Sequence, residues 1–211
     1  MFTGIIEEIG RVIGLEKKSD SLRIKIETTQ IASASQRGDR ISVNGVCLTA
    51  KVITNNIFEA DVMAETVSKT NLKSLVVNNN VNLERALTPS KLIGGHLVQG
   101  HIDNVGKVSN LTNMGEYWVL EVEATQDVMK YLVNKASVAL NGISLTLSEV
   151  TNNSFKVYII PTTYTDTNVK FLKKGDFVNI EVDMMGKYVY HYLNKTQSSN
   201  ISEEFLRENG F

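Results

Sequence analysis

The sequence is poor in the residues from which most catalytic centres are built: 211 residues include one cysteine and three histidines. Cys47 has no internal partner for a disulfide, which suits a reducing compartment and points to the cytoplasm. His96 and His101 lie five residues apart, a spacing that turns them to different faces of either a helix or a strand. With one thiol in the chain, no zinc-like spacing arises, and no metal site is expected. Gly94-Gly95 and Gly100 do not form the G-x-G-x-x-G cradle for phosphates, and no spacing suggests a hydrolase triad. Charge of one sign is missing too, with 22 basic against 23 acidic residues, a net −1, and lysine runs no longer than a pair. That balance argues against a broad phosphate-binding surface, and 7% aromatics leave little for a groove that stacks single-stranded bases. No unbroken apolar run approaches the ~18 residues of a membrane helix. Met1 to Gly10 carries Glu7 and Glu8 and no basic leader, unlike a signal peptide.

What the chain does contain is itself, twice. Gly4, Ile6, Gly10 and Val12 recur as Gly100, Ile102, Gly106 and Val108, and Glu27-Thr-Thr-Gln30 meets Glu123-Ala-Thr-Gln126, all at an offset of 96. After a one-residue slip the offset is 97: Asn44-Gly-Val-Cys-Leu-Thr49 matches Asn141-Gly-Ile-Ser-Leu-Thr146, and Thr54-Asn-Asn-Ile-Phe58 matches Thr151-Asn-Asn-Ser-Phe155. Thr66, Thr70-Asn71 and Val81-Asn-Leu-Glu84 match Thr163, Thr167-Asn168 and Val178-Asn-Ile-Glu181. Several blocks in one order with one slip mark a tandem duplication.

Each copy reads as mainly β. Leu22–Glu27 alternates apolar and polar, Val119–Glu123 less cleanly, and Ile57–Val62 and Phe155–Ile160 follow Asn-Asn turns. Asn44-Gly45 and Asn141-Gly142 signal tight hairpins, and Lys174-Gly175-Asp176 turns into Phe177–Val182. About six short strands in some 90 residues suggest a small closed or nearly closed antiparallel barrel. One helix per copy is expected, over Thr125–Val133 and, more weakly, after Thr29. The join falls at Thr88-Pro-Ser-Lys-Leu-Ile-Gly-Gly95, which sets domains of residues 1–96 and 97–186. The tail, 187–211, lacks a counterpart. Tyr188 with Tyr192 and Val189 with Leu193 sit at i,i+4, and Asn200 with Glu203 could start a final helix bearing Phe205 and Leu206. Its apolar residues predict packing against another subunit or the barrels.

On periodicity alone, Cys47 with Thr49, and Ser144 with Thr146, are small residues sharing one face of a strand. Asp183 stands where the first copy has Ala86.

The chain resembles the riboflavin synthase family of the alpha-chain type. The motifs that carry this are Met1-Phe-Thr-Gly-Ile-Ile-Glu7, Val43-Asn-Gly-Val-Cys-Leu-Thr49, Gly94-Gly-His-Leu-Val-Gln-Gly-His-Ile-Asp103 and Gly142-Ile-Ser-Leu-Thr146. The resemblance extends to the Glu-Asn-Gly-Phe ending. It implies two six-stranded Greek-key barrels and a C-terminal helical tail that assembles a homotrimer. It also implies a reaction in which two molecules of 6,7-dimethyl-8-ribityllumazine exchange a four-carbon unit. The products are riboflavin and 5-amino-6-ribitylaminouracil, and no cofactor is needed. Association with lumazine synthase is a further partner it allows.

The resemblance assigns pocket residues to each copy. For the first barrel they are Gly4, Ile5, Ile6, Cys47, Leu48, Thr49, Asp61, Val62, Met63, Ala64, Glu65 and Thr66. For the second they are Gly100, His101, Ile102, Lys135, Ser144, Leu145, Thr146, Tyr158, Ile159, Ile160, Pro161, Thr162 and Thr163. His101 would move a proton or orient a hydroxyl. Ser144 and Thr146, with Cys47 and Thr49 opposite, would bond the rings or help activate a nucleophile. Asp183 would orient a group of the second barrel, and Phe2 would stack on or close the site. The working site is expected between the first barrel of one subunit and the second barrel of a neighbour. Asn141, Ala136 and Thr162 stand where the family usually has Asp, Gly and often His. The competing reading is a lumazine- or flavin-binding antenna protein of the same double-barrel kind, which tends to lose the Gly-Gly-His…His block.

Overall fold

The computed structural model describes residues 1–19, 21–197 and 207. The first copy contains β1 (Glu8–Lys17), β2 (Ser21–Glu27), the one-turn helix α1 (Gln30–Ser33), β3 (Arg40–Val43), β4 (Val46–Thr49), β5 (Val52–Ile53), β6 (Ile57–Met63), α2 (Ala64–Lys69) and β7 (Asn80–Arg85). The second contains β8 (Asn104–Asn113), β9 (Trp118–Glu123), α3 (Gln126–Met129), β10 (Ser137–Leu140), β11 (Ile143–Val150), β12 (Ser154–Ile159), α4 (Pro161–Asp166) and β13 (Phe177–Val182). A 3₁₀ turn follows each second helix, at Asn71–Ser74 and Asn168–Phe171. The helix α5 (Met184–Gln197) follows β13, and the expected helix at Asn200, Glu203, Phe205 and Leu206 lies outside the described residues.

The second copy closes as a barrel in the order β10-β11-β12-β9-β8-β13. The first differs from the six-stranded expectation: its sheet has seven strands, β4-β3-β7-β1-β2-β6-β5. The cause is local. The strand equivalent to β11 breaks at Ala50-Lys51 into β4 and β5, which then sit at opposite ends of the strand order although consecutive in the chain. Main-chain bonds persist at the break, from Ala50 N to Asp39 O (2.9 Å) and from Lys51 N to Glu59 O (2.8 Å).

Strand alternation sets the cores. Leu22, Ile24 and Ile26 face inward with Phe58, Ala60 and Val62 on the paired β6; Leu120, Val122, Phe155 and Val157 repeat this in the second copy. The Asn-Gly hairpins form as read: Asn44 and Gly45 take φ 47° and 82°, Asn141 and Gly142 46° and 81°, the left-handed pair that such turns require. The helix expected over Thr125–Val133 is regular only from Gln126 to Met129 and then tightens, Tyr131 N bonding Val128 O and Leu132 N bonding Met129 O, with Val128, Met129 and Leu132 buried in the core. Lys187 does have a counterpart. It bonds Asp103 at 2.7 Å as Lys91 bonds Glu7 at 2.6 Å, so the repeat outlasts its last strand.

The copies meet across reciprocal contacts, as an approximate two-fold axis requires. Six buried asparagines form the seam. Asn71 N and Nδ2 donate to Asn179 Oδ1 (2.7 Å) and Asn141 Oδ1 (3.0 Å); Asn168 N and Nδ2 donate to Asn82 Oδ1 (2.7 Å) and Asn44 Oδ1 (3.0 Å). Asn82 and Asn179 donate across to the carbonyls of Asn141 and Asn44. An amide both donates and accepts, so each partner answers the other, and the buried network is satisfied. Asn141 thus fills its turn position with the amide that the seam uses.

Candidate functional site

Two equivalent sites are built from an arm, a strand and a helix start. The arms precede β1 and β8. Their main chains pair with each other, Phe2 N to Val98 O at 2.7 Å and Val98 N to Phe2 O at 3.1 Å. A buried glutamate grips each arm. Glu84 accepts from Thr3 N (2.8 Å), Thr3 Oγ1 (2.6 Å) and Gly4 N (3.0 Å); Glu181 accepts from Gln99 N (2.6 Å), Gly100 N (2.9 Å) and His101 N (3.0 Å). Burial raises the Glu181 carboxyl above its ordinary value, while the three amides and Lys187 oppose that shift.

Each arm then crosses to the other copy. Ser144 N donates to Gly4 O (2.8 Å), and Cys47 N donates to Gly100 O (3.0 Å). Both glycines hold positive φ, 76° and 86°, and a side chain at Gly4 would collide with Ser144, one at Gly100 with Cys47. Ile6 packs on the second core and Ile102 on the first. This corrects the expected grouping: Gly4, Ile5 and Ile6 belong with Ser144, and Gly100, His101 and Ile102 belong with Cys47.

In the first site, Cys47, Thr66, Glu65, Lys69, Gly100, His101 and Ile102 line a cavity of ≈ 210 Å³. Cys47 and Thr49 face outward from β4, as Ser144 and Thr146 do from β11. Leu48, Leu145, Val62 and Ile159 face the cores, so these four offer a ligand main chain only. Phe2 is likewise 0% exposed, packed with Val98, Ala139, Cys47 and Ala86, so it braces the arm and presents no ring face outward. Thr66 and Thr163 fall inside α2 and α4, where their carbonyls accept from Thr70 Oγ1 and Thr167 Oγ1. Pro161 occupies the first turn of α4, whose outer side carries Thr162. Lys135 is exposed and left-handed, φ 70°, where the first copy has Gly38.

The sites differ in chemistry. Asp61 is held by Arg23 (2.8 Å) and Lys51, whose hydrogen bonds and charges keep its carboxyl well below the usual range. The matching Tyr158 is 56% exposed and tilts on Tyr117 at 5.3 Å, while Trp118 stacks on Tyr164 at 3.8 Å. Cys47 Sγ accepts from Arg40 Nε (3.0 Å), whereas Ser144 Oγ meets His96 Nδ1 (2.7 Å). Asp183 caps the start of α5 through Met185 N (3.0 Å), and its charge acts on His96. Met63, Ala64, Ile5 and Ile160 are exposed beside the sites.

Sequence reasoning missed the two glutamate clamps, Arg40, the role of His96 and the asparagine seam. Glu84, Glu181 and all six asparagines lay within or beside matched blocks, so the duplication was the available signal. Among the described residues no His, Cys, Asp and Glu cluster has the geometry to hold a metal ion.

Residues 3–86 and 99–183 both match the family described as the lumazine binding domain. The chain is similar to the riboflavin synthase of Actinobacillus pleuropneumoniae, 40% identical over 215 residues and covering 100% of both chains. It is 38% identical to the riboflavin synthase of Bacillus subtilis over 216 residues, again covering 100% of both. Among solved structures it resembles LumP complexed with 6,7-dimethyl-8-(1'-D-ribityl) lumazine, with a TM-score of 0.79 and 26% identity, covering 86% of this chain and 99% of that one.

Proposed function

The chain belongs to the riboflavin synthase family, and from that we propose that it converts two molecules of 6,7-dimethyl-8-ribityllumazine into riboflavin and 5-amino-6-ribitylaminouracil. A four-carbon unit passes between two copies of one compound, as a transferase reaction. The observation that carries this reading is the pair of equivalent sites, one at Cys47 and one at Ser144, each completed by an arm of the other copy. Identical reactants need similar pockets, and holding two rings face to face supplies much of a bimolecular barrier.

The roles follow from placement. His101, exposed at the first site, moves a proton or orients a hydroxyl beside Cys47 and Thr49. Ser144 and Thr146 bond the second ring and assist the nucleophile that forms at the lumazine carbon. Asp183 acts through His96. The working site joins the first barrel of one subunit to the second barrel of a neighbour in a homotrimer. Exposed Met63, Tyr158 and Ile160 beside the sites, and Tyr188, Val189 and Leu193 on α5, supply apolar surface for such contacts. Residues 1–96, 97–186 and 187–211 serve as first barrel, second barrel and oligomerisation tail. Cytoplasmic location rests on the lone cysteine, and association with lumazine synthase on the resemblance. No described helix is long and apolar enough to cross a membrane.

The antenna reading draws on the likeness to LumP, at 26% identity against 40% for the synthase. Incubation with the ribityllumazine alone separates the two. Riboflavin formation, abolished or strongly reduced in His101→Gln or Ser144→Ala, is expected; tight binding without turnover would establish an antenna.

A further inference from the structure

Ser144 Oγ and His96 Nδ1 stand 2.7 Å apart, and Nε2 of the same ring is buried without a hydrogen-bond partner. A buried nitrogen left unpaired costs free energy, so the ring is held here by something other than its own satisfaction. The scaffold is rigid. His96 N donates to Thr3 O (3.1 Å), and Thr3 is gripped through its amide and hydroxyl by Glu84. Gly95 permits the approach, since a side chain there would collide with Thr3 O and Ser144 Oγ. The two sites are not alike here. At the equivalent place in the other site, Cys47 receives Arg40 instead.

Resting on the proposed function, we propose that His96 is a positioning residue for the second-module site, fixing the Ser144 hydroxyl so that its lone pairs face the bound lumazine. The neutral tautomer protonated at Nε2 does this, because Nδ1 is then free to accept the Ser144 proton. Burial pushes His96 below the ordinary imidazole range, and the charge of Asp183 pulls the other way. The other groups recorded against the ring and its main chain, Ser144 and Thr3, carry no charge.

The test uses the full chain and the ribityllumazine, reading kcat and KM by riboflavin formation. His96→Ala is expected to lower kcat about ten-fold with KM within about two-fold. In the Ser144→Ala background the same change should add nothing, because its route runs through that hydroxyl. His96→Asn, which places an amide near Nδ1, should recover most of the rate; His96→Gln, whose amide reaches toward Nε2, should not. Wild-type kcat in His96→Ala, or losses that multiply in the double variant, overturns the proposal. If His96→Ala does not fold, the Asn-against-Gln contrast decides, and equal rates in those two overturn it. A wild-type chain that makes no riboflavin removes the underlying reading as well, a result distinct from all of these.

Discussion

Gly45 and Gly142 face each other across the seam, the amide nitrogen of each 2.8 Å from where the other's side chain would begin. Both hold a left-handed φ and both abut main chain that has nowhere to move. Gly45→Ala or Gly142→Ala is therefore expected to cost about 3 kcal/mol, combining overpacking with backbone strain. Urea unfolding of each variant checks this, and a loss below about 1 kcal/mol would mean that the copies separate easily.

The asparagine seam predicts equal penalties for equal positions. Asn71→Ala removes bonds to Asn141 and Asn179, and Asn168→Ala removes their mirror images to Asn44 and Asn82. Each is expected to cost about 2 kcal/mol, since unpaired amides are left buried. Both copies should still unfold in one transition, seen alike by Trp118 fluorescence and far-UV circular dichroism.

Trp118 and Tyr164 lie parallel, 2° apart in plane, linking β9 to α4. Tyr164→Leu keeps apolar burial and loses the stack, at a cost of about 1 kcal/mol. Tyr164→Phe keeps the stack and should be nearly neutral. Thermal unfolding followed at Trp118, the chain's sole tryptophan, distinguishes the two.

Glu7 supplies a pH signature. Burial raises its pKa, yet hydrogen bonds and charges from Lys91 and Arg85 outweigh this and leave it below 4.5. A depressed folded-state pKa means stabilisation that is complete above the unfolded value and lost as pH falls through the folded one. Glu7→Gln should thus destabilise the protein at neutral pH, and its stability should converge with wild type below pH 4.5. A difference that grows on acidification would contradict the assignment.

Much of this was legible in the chain. Alternation located β2, β6, β9, β12 and β13, and Asn-Gly pairs located the hairpins, because both depend on neighbours in sequence. The family motifs named Cys47, Gly100 and His101 but grouped each arm with its own barrel, whereas the structure seats each arm on the other. Periodicity records which residues recur, and two identical docking faces leave the choice between them to linker reach and packing. Asn71 and Asn168 stood out in the sequence only as a matched pair, because an amide that satisfies a local turn and one that satisfies a distant backbone read alike. The short helices α2 and α4 were hidden by their length of six residues each and, in α4, by three threonines, which disfavour helix in isolation.

Arms traded between two like barrels have an evolutionary reading. A single barrel of this design, carried by its own gene, would find a dock for its arm only on a second copy, and would live as a swapped dimer. Joining two such genes through residues 88–95 turns an encounter between molecules into a fold within one. Halves joined in one chain need not stay alike, and Cys47 with Arg40 on one side and Ser144 with His96 on the other are where these two differ.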